Sequence, residues 1–135
     1  MRILSIDYGL KRCGLAWTDP LQISISGLGA VAPGILEQHL GPLIADGVST
    51  IVLGYPTRSD GSDSHVTDEI RQLYERLKLR YPDKEVYLWD ESFSSRSAAR
   101  VLFESGVSKK KRQEKSRLDE MSAILILRDF LLSKT

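Results

Sequence analysis

Short apolar runs come first along this chain and helical spacings follow, and their order predicts an architecture. Residues 2–7 (Arg-Ile-Leu-Ser-Ile-Asp) read as a buried strand ending in an acid. A turn over 8–11 leads to a second strand at 12–18. Asp19-Pro20 is a turn signal, after which Leu21, Ile23 and Ile25 alternate with polar residues as a third strand. Together these predict an antiparallel meander.

The pattern then changes to one of strands alternating with helices. Leu36, Leu40, Leu43 and Ile44 fall at helical spacing, with Gly47 as a C-terminal cap and a break expected at Gly41-Pro42. Residues 50–54 are wholly apolar, as in a strand buried on both faces. Val66, Ile70, Leu73, Leu77 and Tyr81 mark an amphipathic helix ended by Pro82, and 85–89 a fifth strand running into Asp90-Glu91. Ala98, Val101 and Leu102 mark a helix that Ser94 or Ser95 caps and Gly106 ends, and a last helix spans 118–132. The expectation is a single α/β domain over 1–135: a mixed five-stranded sheet of three antiparallel strands plus parallel strands, with helices on both faces.

Composition narrows the class. A 41% hydrophobic and 27% charged content is that of a globular chain rather than a disordered one. No apolar run approaches a membrane span, and Met1 opens directly into strand-like sequence, so a cytoplasmic location with no membrane partner is expected. The single cysteine, Cys13, sits in an apolar run and is read as buried filler, which agrees with a reducing compartment. The net charge of +1 conceals a local excess: Lys109, Lys110, Lys111, Arg112, Lys115 and Arg117 crowd one loop against Glu114 alone. Such a loop is a candidate phosphate-binding element, with Arg12 a weaker one beside the first turn. Trp17 and Trp89 are assigned to the core, and His39 and His65 to the surface.

Three acidic positions carry the candidate chemistry. Asp7 ends the first strand, Asp90-Glu91 the fifth, and Asp119 begins the last helix. Two-metal phosphodiester cleavage needs several carboxylates converging from rigid elements, and open sheets build sites at the carboxyl ends of their strands. The first strand and the one at 50–54 are expected neighbours, which puts Asp7 near such a point. Each acid taken alone also fits a plainer role in a cap or a turn.

The segments Ile6-Asp7-Tyr8-Gly9, Leu53-Gly54-Tyr55-Pro56, Asp60-Gly61, Asp90-Glu91 and Leu118-Asp119 resemble, in order, the motifs of the YqgF/RuvX family. That family is described as Holliday-junction-resolvase-like and as a nuclease maturing the precursor of 16S ribosomal RNA. The resemblance covers essentially the whole chain. It implies an RNase H-like fold, dependence on magnesium or manganese (two ions), and a catalytic triad of Asp7, Glu91 and Asp119. Which of Asp90 and Glu91 meets metal stays open, because adjacent strand residues face opposite ways. The family pattern continues from the acidic pair into an arginine; here Ser92 stands in that place, and Arg96 is the nearest substitute.

The resulting expectation is a metal-dependent endonuclease acting on structured precursor ribosomal RNA, with association with the ribosome. Branched DNA is the alternative substrate, and a non-catalytic nucleic-acid-binding module the alternative class. A phosphotransferase of the actin/hexokinase class also begins with a strand, an Asp-x-Gly turn and a hairpin, but 135 residues leave no second half.

Overall fold

The computed structural model describes residues 1–55, 64–90 and 115–133, giving backbone alone for Tyr55, Ser64, His65, Asp90 and 115–118. Five strands form one sheet in the order β3-β2-β1-β4-β5. They are β1 (Arg2–Asp7), β2 (Cys13–Thr18), β3 (Ile25–Val31), β4 (Val48–Tyr55) and β5 (Glu85–Asp90). β1 pairs antiparallel with β2, and β2 with β3; β4 runs parallel to both β1 and β5. The helices are α1 (Leu36–Ala45), entered through a 3₁₀ turn at Pro33–Ile35, α2 (Ser64–Arg80) and α3 (Lys115–Ser133).

Period-two alternation sorts the strand residues between two cores. Leu4, Ile6, Leu15, Ile51 and Leu53 pack with Leu36, Leu40 and Ile44 of α1 and Ile70, Leu73 and Leu77 of α2. Ile3, Ala16 and Val52 point the other way, onto Ala123, Ile126, Leu127 and Phe130 of α3. Helices therefore cover both faces, and the long apolar run of α3 buries one side while Ile124 and Leu125 are only partly covered. No helix among the described residues is long and apolar enough to cross a membrane.

Two expectations need correction. The third strand does not include Leu21 and Ile23, which lie exposed in the β2–β3 turn. The Asp19 carboxylate accepts the backbone N–H groups of Leu21, Ile23 and Ser24 at 3.1, 2.7 and 2.7 Å. Gln22 sits in the left-handed region (φ 60°). The side chain thus outcompetes a ladder that alternation alone predicted. Nor does Gly41-Pro42 break α1, which runs on through Pro42. Leu36, Leu40 and Ile44 hold the helix down by its buried stripe, while Gln38 and Pro42 face solvent, where water can reach the carbonyl that proline leaves unbonded. Gly47 ends the helix as expected, at φ 90°. The helix expected between Ser94 and Gly106 lies outside the described residues.

Candidate active site

Asp7 is the last residue of β1 and is 9% exposed. It shares parity with Ile3 and Ser5, so it stands on the α3 face of the sheet. Its ladder partner on β2 is Gly14. α3 crosses the sheet here closely enough that a Cβ on Gly14 would run into the Asp119 backbone carbonyl. One glycine therefore touches both acids' elements, bringing the end of β1 against the N-terminal part of α3.

Three contacts seat α3 at this position. Gly14 permits the close approach. One residue on, Glu120 packs on Gly27, where any side chain would overlap it, and its Oε2 accepts the Gly29 N–H at 2.6 Å. Gly29 lies at φ 80°, where the β2–β3 register shifts and frees that N–H from the ladder. A turn further along, buried Ser5 donates to the Ala123 carbonyl at 2.7 Å. At the far end Phe130 meets Trp89 edge-on and Tyr87 at a tilt, with ring centroids 5.5 and 5.4 Å apart.

The start of α3 revises the reading of Asp119. The helix begins at Lys115, so Lys115 and Arg117 belong to its first turn rather than to a loop, and Asp119 falls beyond that turn. A capping role is thereby excluded, since caps and dipole effects are confined to the first turn. Instead Asp119, with a side chain 14% exposed, accepts a hydrogen bond from Arg12 Nε at 2.8 Å. Arg12, read from the sequence as a phosphate contact, is an ion-pair partner of the acid. The signal was undetectable locally, because the two residues lie 107 positions apart.

Glu69 is an acid that sequence reasoning passed over. It stands on α2, three residues after Val66 of the buried stripe, and accepts a hydrogen bond from the Tyr8 hydroxyl at 2.7 Å. Burial first, and this bond next, raise the Tyr8 pKa above its ordinary value. Tyr8 packs on the α1/α2 core. Burial likewise pushes the Cys13 thiol up to about 11, a backbone contact at Gly9 opposing and the charges of Asp7, Asp119 and Glu69 adding to the rise. Three carboxylates thus lie within electrostatic reach of one thiol at this edge of the sheet.

Across the sheet, Leu53 pairs with both Ile6 and Leu88, and Gly54 with Trp89. One step beyond Ile6, then, Asp7 is separated from β5 by a glycine that contributes no side chain. Asp90 closes β5 opposite Tyr55. Glu91 lies outside the described residues, as do Lys109, Lys110, Lys111 and Arg112. Among the described residues no group of three or more His, Cys, Asp or Glu is gathered closely enough to hold a metal ion. What the structure brings together is the pair Asp7 and Asp119. Their donor set, oxygen-only and mostly shielded from solvent, fits magnesium or manganese and does not suit a soft thiophilic ion.

A family model described as "RuvX: Holliday junction resolvase" matches residues 1–133. The chain belongs to the RuvX family. Relatives of the family include a protein of Chlorobium luteolum, 45% identical over 131 residues that span 96% of this chain and 93% of that one. A Flavobacterium psychrophilum relative is 38% identical over 134 residues, 98% of each. Both carry the name "Putative pre-16S rRNA nuclease". Among solved structures, Thermus thermophilus RuvC superposes with a TM-score of 0.58 at 13% identity, covering 99% of this chain and 96% of that one. The fowlpox virus Holliday junction resolvase gives 0.55 at 15% identity over the whole of both chains. At such identities the likeness is one of fold, and that fold is RNase H-like, as the motifs implied.

Proposed function

We propose that this RuvX-family chain is a metal-dependent endonuclease that hydrolyses phosphodiester bonds in precursor 16S ribosomal RNA. The observation carrying this reading is the meeting of Asp7 and Asp119 across Gly14 at the carboxyl edge of the sheet. The names borne by the relatives support the substrate.

Asp7, Glu91 and Asp119 are the proposed catalytic acids and, with Asp90, the proposed ligands of magnesium or manganese. When bound, a pair of such ions supplies Lewis acidity at the attacking and leaving oxygens. The chain's own part is to hold those carboxylates on rigid elements and to exclude bulk water beneath α3.

Lys109, Lys110, Lys111, Arg112, Lys115 and Arg117 are the proposed contacts to the RNA backbone. Lys115 and Arg117 lie in the first turn of α3.

The test is cleavage of precursor 16S RNA and of a four-way DNA junction, each with manganese and with EDTA. Metal-dependent cutting of the RNA is expected. Asp7→Asn should lower the rate at least about 100-fold, because even outer-shell partners of a metal site are worth roughly 10–100-fold. Cutting of the junction alone would replace the substrate, and a folded protein that cuts neither would make the chain a binding module.

A further inference from the structure

A guanidinium beside paired acids can orient a carboxylate or grip a phosphate. The β1–β2 turn brings one to the site. Arg12 directs only Nε at Asp119 Oδ2, at 2.8 Å, in place of the two-pronged fork a guanidinium commonly offers a carboxylate. Its two Nη groups form no hydrogen bond with any described residue, and a third of the side chain, 35%, is open to solvent. Four N–H donors and a permanent positive charge are thus held still beside one of the two acids that meet across Gly14.

We infer that Arg12 does two jobs: Nε fixes the Asp119 carboxylate, and the Nη edge grips a phosphate oxygen of the bound nucleic acid next to the scissile bond. This rests on the nuclease reading above. The planar fork suits both at once. A carboxylate occupies one edge, a phosphate the other, and the pairing to Asp119 removes the rotamer freedom that an exposed arginine would lose on binding RNA. Arg12 is in this sense a positioning residue for Asp119 and a contact residue for the substrate.

The two jobs separate in Arg12→Gln and Arg12→Lys. In EDTA, where nothing is cut, the affinity for precursor RNA is measured from 50 to 200 mM salt, with about one unit of salt slope per phosphate contact. Manganese affinity is measured on the RNA-free protein by electron paramagnetic resonance. Arg12→Gln should flatten the slope by about one unit and weaken manganese binding about tenfold, the effect of losing a partner that orients a ligand. Arg12→Lys should keep the slope, because it keeps the charge, and fail to restore manganese affinity, because an ammonium lacks the fork. A wild-type slope in Arg12→Gln, or manganese affinity fully restored in Arg12→Lys, overturns the inference. If Arg12→Gln melts too low to assay, the lysine variant decides alone: wild-type manganese affinity there overturns it. Cutting that survives Asp7→Asn overturns the nuclease reading separately.

Discussion

At Cys13 a single side chain reports on the whole site. Buried under the β1–β2 turn and within reach of three carboxylates, its thiol is pushed from an ordinary 9.0 to about 11. At pH 8 that leaves about a hundredfold less thiolate than in an unfolded chain, so iodoacetamide should modify the native protein about 100-fold more slowly than the urea-unfolded one. Equal rates would mean that the thiol is not shielded. A raised acid pKa means that folding favours the protonated form. The associated stability is complete below about pH 9 and lost as pH rises through about 11, so the melting temperature of wild type should fall more steeply there than that of Cys13→Ala. The apolar run around Cys13 was enough to predict its burial. Arg12 was not legible in this way, because its partner is set by where α3 docks and not by any neighbour in sequence.

The seat of α3 is where local signals gave least warning. Asp119 owes its position to Gly14, Gly27 and Gly29, each of which lies ninety or more residues before it. Gly14→Ala should force the helix off the sheet, costing about 3 kcal/mol or more by overpacking against backbone that has no rotamer to yield. Thermal and urea unfolding would measure this, and a variant as stable as wild type would mean that α3 does not lie where described. Glu120→Gln keeps the shape and gives up a charge-assisted bond to the Gly29 N–H, so a smaller loss of about 1 kcal/mol is expected in the same assay. Elements with a full hydrophobic stripe, such as α2, were legible from periodicity alone. The third strand was misplaced because three backbone N–H groups preferred the Asp19 carboxylate to a ladder. The break expected at Gly41-Pro42 failed because burial on one side of α1 outweighed the lost hydrogen bond on the other.

For the molecule as a whole, the sheet order is what makes a site of scattered acids. Strand order reverses at β1, with β2 on one side and β4 on the other, so Asp7 emerges at the switch point and α3 crosses above it. If the carboxylates share a cation, manganese at a hundred times its dissociation constant should stabilise the native state by about 2.7 kcal/mol and raise the melting temperature by roughly 5–10 °C. Asp7→Asn should abolish that rise, and a rise that persists in the variant would locate the ion elsewhere. The sheet and both its cores were foreseeable from the sequence. The approach of Asp7 to Asp119 was expected from the element order and the motifs, but the glycine at which tertiary packing produces it was not.

That same dependence on a late helix governs when the two acids can meet. Asp7 precedes Asp119 in the chain, and Asp119 arrives on the last described element. A nascent polypeptide leaving the ribosome N-terminus first thus carries Asp7 without its neighbour until Asp119 itself has been made. Until then the sheet edge at Gly14 lacks the helix backbone that sets the second acid beside the first.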